Sequence, residues 1–225
     1  LLTITFNELL DFILNTLRIL IPGLRYTFGL FLVTIVCSVP LGLSMAFVCN
    51  SRNRFFRSLV RGYVFVMRGT PLMLQLFFFY FGLPNIPFVG QFLIMDRFTA
   101  ACVAFIVNYA AYFCEIFRGG LLSIDKGQYE AAQVLGMGRF QTTIRVVVPQ
   151  MFKVALPSVS NETITLIKDT ALATAIGVID LMHLTKSHVT STSNITPFAV
   201  AAVIYLCMTF GLTKMFNMLE RKFRF

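Results

Sequence analysis

Five stretches of this chain read as long and apolar enough to cross a bilayer, and no other feature constrains its fold as strongly. A spanning helix needs about 20 mostly apolar residues. The runs extend roughly from Tyr26 to Cys49, Gly62 to Leu83, Phe98 to Phe117, Gln150 to Ala171 and Pro197 to Asn217. In hydrocarbon each backbone N–H and C=O must be satisfied within the segment, which makes apolar runs of this length helices. The expected fold class is an all-α integral membrane protein with five transmembrane helices. Composition agrees, with 57% of residues hydrophobic, 13% charged and a mean hydropathy of +0.78. Soluble domains average about 45–50% apolar and about 25% charged.

The loops set the orientation. Arg52, Arg54, Arg57 and Arg61 lie between the first two runs. Arg118, Lys126, Arg139 and Arg145 lie between the third and fourth, with Lys153 just inside the fourth, and Lys214, Arg221, Lys222 and Arg224 lie at the C-terminal end. The Pro84–Arg97 loop has one basic residue, and Leu172–Thr196 has only Lys186. Basic loops stay in the cytoplasm, so the N-terminus is expected outside and the C-terminus inside. The net charge of +9 is therefore a sign of topology, not of nucleic acid binding. Arg54-Phe55-Phe56-Arg57 reads as a membrane-surface anchor. Residues 1–25 mix apolar side chains with Glu8, Asp11, Arg18 and Arg25, as a short amphipathic helix in the outer interface would. The first residues lack the basic n-region and small-residue cleavage site of a signal peptide. Pro84-Asn85-Ile86-Pro87 signals a turn, and the polar stretch Thr185–Thr196 reads as an external loop. The five cysteines form no CxxC pair and read as small packing residues. Neither His183 nor His188 has a ligand-like neighbourhood, and no metal is expected. With no internal repeat, residues 1–225 read as one membrane domain.

The loop between the third and fourth runs, residues 123–149, is longer than a connector needs. Gln128–Leu135 is helix-forming, Gly136 and Gly138 break it, and a second piece, Arg139–Val148, leads to Pro149, which can open the next helix. Small residues allow another surface to approach closely, and Glu130 near the helix start suits the macrodipole. An interfacial helix that only lies on the membrane surface would look similar. Glu130-Ala131-Ala132, three residues, Gly136, nine residues and Val146-Val147-Val148-Pro149 resemble the EAA motif of ABC-importer permeases, with Val146 and Val148 in place of the usual Ile and Leu. Arg68-Gly69-Thr70-Pro71 with Leu72–Gly82, Asn108–Tyr112 with Glu115–Gly120, and Lys168–Leu172 resemble further segments of the polar-amino-acid branch. The resemblance covers roughly Tyr26 to Phe225.

The resemblance implies that residues 123–149 hold a coupling helix seated in a groove of an ATP-hydrolysing subunit, with Glu130, Ala131, Ala132, Gly136 and Pro149 carrying that role. It implies two ATPase chains, a second permease chain (identical or paralogous), an external solute-binding protein and a place in the prokaryotic inner membrane. This chain has no G-x-x-x-x-G-K-[ST] loop, so ATP and Mg belong to the partner and no cofactor is expected here. Polar groups at mid-bilayer are costly and mark function. At a rise of about 1.5 Å per residue, Gln75, Asn108, Asn161 and Glu162 fall near the middle of their runs. Glu162, with no basic residue nearby on its own helix, is the candidate for an α-ammonium or basic side chain. Gln75, Asn108 and Asn161 are candidates for neutral hydrogen bonds to substrate, or for ties between helices. Glu115 and Arg118 can pair on one helix face as a structural or gating ion pair, Lys168 and Asp169 as a hinge or outer gate, and Pro71 should kink or break its helix. An ion-coupled secondary transporter is the competing reading; it would need a coupling-ion site and usually inverted repeats.

Overall fold

The computed structural model describes residues 6–51, 53–88 and 90–223. Arg52 and Arg224 lie outside the described residues, as do the first five residues of the interfacial segment. The described residues are helical and connecting segments throughout. Among them ten α-helices follow one another: α1 Phe6–Leu20, α2 Leu24–Cys49, α3 Arg54–Gly69, α4 Leu72–Phe77, α5 Arg97–Leu122, α6 Lys126–Val134, α7 Arg139–Thr142, α8 Val148–Asp169, α9 Leu181–Thr192 and α10 Thr196–Phe223. Among the described residues three helices are long and apolar enough to cross a membrane: the run Asn7–Cys49 that joins α1 to α2, then α5 and α10. A fourth span is present if α3 and the segment Leu72–Asn85 count as one broken span.

Two of the five expected spans are not single apolar helices, and at one of them the break expected at Pro71 is present. The run Gly62–Leu83 is interrupted: α3 ends at Gly69, Thr70 is extended (φ −118°, ψ 144°), and α4 starts after Pro71. Proline lacks the N–H that would continue the ladder and pushes the residue before it into extended backbone. The helix that covers Gln150–Ala171 is α8, 22 residues long. It carries Lys153, Glu162, Lys168 and Asp169, and by composition it does not qualify as a span on its own.

One expectation is overturned. Thr185–Thr196 is not simply a loop, because most of it belongs to α9. Asp180 caps that helix by accepting the His183 N–H at 2.8 Å, and Thr185 and His188 are buried. His188 stacks on Phe12 with ring centroids 5.7 Å apart and lies 3.2 Å from the Thr16 hydroxyl, a core histidine satisfied by α1.

The chain divides into two compact units. The first holds residues 1–34, 72–105 and 164–212. Its core is Leu20, Leu181, Val200 and Ala201, ringed by Ile13, Leu17, Leu24 and Ile204. Gly23 makes this packing possible: a Cβ there would sit 2.8 Å from the Leu181 nitrogen and 2.9 Å from the Asp180 carbonyl carbon. Thr27 receives the Leu181 N–H at 3.2 Å. Asp180 is 1% exposed, and its second carboxylate oxygen meets no partner among the described residues. Burial pushes its pKa up from an ordinary 3.8 to about 6, opposed by the N–H groups of His183 and Met182. α4 packs against the 3₁₀ segment Thr170–Ile176 that follows α8.

The second unit holds residues 35–71, 106–163 and 213–225. Here α5 meets α2 at Gly42, where a Cβ would lie 2.6 Å from the Phe113 Cβ, and meets α8 at Gly120, where it would lie 3.1 Å from the Met151 side chain. Small residues at such crossings let membrane helices approach closely. α3 is held to α5 by the Tyr63 hydroxyl, which donates to the Val107 carbonyl, and by the Asn108 amide, which donates to the Met67 carbonyl at 3.1 Å.

Candidate functional site

The segment Ser123–Pro149 is built by local chemistry. Asp125 caps α6 through its Oδ1, which accepts the Gly127 N–H at 2.7 Å. An acidic group at that position also meets the positive end of the helix dipole. Glu130, expected in that role, is the fifth residue of a nine-residue helix and lies outside its first turn. At the other end, the Gly136 N–H donates to the Gln133 carbonyl at 3.0 Å and the Met137 N–H to the Ala132 carbonyl at 3.0 Å. That pair of bonds is a Schellman cap, which requires a left-handed residue. Gly136 supplies it at φ +73°. Ala132, the second alanine of the motif, thus provides the carbonyl that closes the helix and is itself buried.

After this turn Gly138 returns to ordinary backbone at φ −67°, and its N–H donates to the Gln141 side chain at 3.3 Å. α7 runs through a π-turn, Thr143–Val147, into α8, with Pro149 in the first turn of α8. Gln150 donates to Gln128 at 3.0 Å and ties the start of α8 back to α6.

Three large apolar side chains stand uncovered on this segment. Val134 is 87% exposed, Leu135 79% and Phe140 79%. A cavity of about 540 Å³ opens beside them, lined by Tyr129, Gln133, Met137, Arg139 and Thr142 among others. Large apolar side chains left uncovered on a helix–turn–helix and rimmed by polar groups mark a surface suited to a protein partner or to the membrane.

The intramembrane polar candidates divide. Asn108 is 3% exposed with its amide committed to Met67, and Gln75, on α4, is 7% exposed. Asn161 is exposed and Glu162 half-buried on α8, four and five residues beyond Pro157 within the same helix. Glu115 and Arg118 form the expected pair, and it is bidentate: Arg118 Nε donates to Glu115 Oε2 at 2.9 Å and Nη2 to Oε1. Lys168 and Asp169 end α8 where it tightens into the 3₁₀ segment, Lys168 exposed and Asp169 half-buried. Consecutive helical residues do not face each other, so these two point to different sides. Sequence reasoning overlooked Asp125, Tyr63 and Asp180. An Asp before a helix signals a cap, as at Asp125 and Asp180, but no local pattern marks Tyr63 or the burial of Asp180.

Over residues 38–225 the chain matches the family described as the binding-protein-dependent transport system inner membrane component. It is 34% identical over 215 residues to the octopine transport system permease protein OccM of Rhizobium radiobacter, covering 93% of this chain and 87% of that protein. It is 37% identical over 206 residues to the arginine transport system permease protein ArtQ of Bacillus subtilis (strain 168), covering 91% of this chain and 92% of that one. Among solved structures it resembles a chain of an amino acid ABC transporter crystallised with histidines, at a TM-score of 0.85 and 32% identity, covering 98% of this chain and 100% of that chain.

Proposed function

The chain belongs to the binding-protein-dependent transport system inner membrane components, and from that membership we propose that it is the permease of an importer for polar, most of all basic, amino acids. It is a multi-pass inner-membrane subunit, and ATP hydrolysis belongs to its ATPase partners. Relatives named for transport of octopine and of arginine support the substrate class. The observation that carries the coupling role is the Schellman-capped turn at Gly136, which falls within the E-A-A spacing and is flanked by uncovered Val134, Leu135 and Phe140. Such a turn is rigid, and its apolar flank gives an ATPase groove something to grip.

In this reading the chain crosses the membrane five times, with α3 and Leu72–Asn85 as one broken span, α8 as the polar one, and the N-terminus outside. Residues 1–225 act as one transmembrane domain. A second permease chain, a pair of ATPase chains and an external solute-binding protein complete the transporter. Glu130, Ala131, Ala132, Gly136 and Pro149 shape the coupling segment. Glu162 receives the cationic group of the substrate, and Asn161 and Gln75 offer neutral hydrogen bonds. Asn108 also ties α3 to α5 through one of its amide N–H groups. Glu115–Arg118 and Lys168–Asp169 act as gates or braces, and Pro71 keeps the broken span broken. ATP and Mg act in the partner.

Reconstitution with the ATPase and binding protein tests this reading directly. Labelled arginine should enter vesicles only with ATP on the ATPase side, and ionophores should leave uptake intact. Uptake that ignores ATP and collapses with the proton or sodium gradient would instead establish an ion-coupled transporter.

A further inference from the structure

α3 has three distinct faces. At about 100° per residue, Val60, Tyr63, Val64 and Met67 form one face, which the Tyr63 and Asn108 hydrogen bonds hold to α5. Phe55, Leu59 and Val66 form a second, exposed and apolar. Arg54, Arg57, Arg61 and Arg68 fall within an arc of about 60° and form the third. Arg61 and Arg68 open onto a cavity of about 370 Å³, whose wall also includes Val64, Phe65, Glu115 and Arg118.

The charges in this cavity do not balance. Arg118 holds both oxygens of Glu115, so that pair is closed. Arg68 lies over the Tyr112 ring, its guanidinium carbon 5.2 Å from the centroid. Stacking fixes the plane of the guanidinium and leaves its N–H edge for another acceptor. Among the described residues neither Arg61 nor Arg68 comes within ion-pair distance of a carboxylate. Three cations against one anion leave a surplus of two positive charges. Between the two arginines Phe65 is 80% exposed. Forked donors over an empty volume match the oxygens of a phosphate. A large exposed ring at the same place matches the boundary between headgroups and acyl chains. Arg118 and the basic loop that follows α5 put this cavity on the cytoplasmic side, where anionic lipids concentrate.

We propose that Arg61 and Arg68, backed by the Arg118–Glu115 pair, form a site for the phosphate of an anionic phospholipid headgroup in the cytoplasmic leaflet. The site requires that the chain span the membrane with this end inside and is independent of which solute is transported. A lipid held there braces α3, the helix that leads to the Pro71 break.

Native mass spectrometry of the purified chain after exchange into equal phosphatidylglycerol and phosphatidylcholine tests the site without any transport assay. The native chain should retain phosphatidylglycerol over phosphatidylcholine by about tenfold or more. R61Q/R68Q should lose that preference, while R54Q/R57Q, which removes the same charge from the same helix outside the cavity, should keep it. Millimolar inorganic phosphate should not displace the lipid. Equal loss in both double variants would show diffuse attraction and overturn the site, as would absence of any preference in the native chain. Displacement by inorganic phosphate would overturn the lipid assignment in favour of a free-phosphate site. If the glutamine variant is unstable, R61K/R68K reads the same feature: a several-fold drop in preference supports a forked phosphate contact, and an unchanged preference refutes it.

Discussion

Replacing Gly136 by alanine isolates backbone strain from sterics. A Cβ at this position would meet nothing within 4 Å, so no clash contributes. The residue stands at φ +73°, where an L-residue with a Cβ is disfavoured by about 1–2 kcal/mol. Unless the chain accepts that cost, it gives up the N–H bonds of Gly136 and Met137 that close α6, and the docking surface loses its fixed shape. At about 1.4 kcal/mol, a value within that range, the affinity for the ATPase partner should fall about tenfold. Gly138→Ala is the matched control, because Gly138 sits at φ −67° with open space around it, and it should bind normally. Gly136→Asn should recover most of the loss, since asparagine tolerates the left-handed region. Titration of the purified chain in nanodiscs with labelled ATPase subunit gives the affinities, and amide exchange at Met137 reads the cap without the partner. If Gly136→Ala binds like the native chain while Met137 exchange rises, the turn does not transmit coupling. If Gly138→Ala is the more damaging variant, the conformational argument is wrong.

Three further outcomes follow from the packing and the charges. Gly42→Ala brings its Cβ within 2.6 Å of the Phe113 Cβ and 2.8 Å of the Cys114 nitrogen; prying α2 from α5 should cost about 1–3 kcal/mol, visible as a lower melting temperature in detergent, while Gly62→Ala, with nothing within 4 Å, should not melt lower. Asp180 has its pKa raised from 3.8 to about 6 by burial, so its favourable protonated contribution is complete below about pH 4 and lost as pH rises through about 6. Asp180→Asn keeps the cap and should remove that slope, leaving the variant more stable at pH 8 by up to about 3 kcal/mol; melts across pH 4–8 that run parallel to the native chain would refute this. Glu162→Gln should raise the half-saturation for arginine uptake more than for glutamine uptake, and equal effects on both would remove Glu162 from the recognition of a cationic side chain.

The class of the molecule and the outline of the helix–turn–helix after α5 are legible in the sequence alone. Apolar runs of bilayer length leave a chain no alternative to helices, and the E-A-A, glycine and proline spacing is a local pattern that folds locally. The broken helix at Pro71 was legible for the same reason, as was the i,i+3 pairing of Glu115 with Arg118. Tertiary structure decided what depends on partners distant in the chain. Thr185–Thr192 has loop-like composition and is helical because Asp180 caps it and α1 covers His188. The Asn108 amide is turned to the Met67 carbonyl, a choice between helix tie and substrate contact that residue type leaves open. The cavity between Arg61, Arg68 and Arg118 was not legible either, since a basic loop residue looks the same whether it faces water or a cavity. Periodicity records which side of a helix is apolar, but which neighbour covers that side, and which charges are left without one, is settled only when the helices pack.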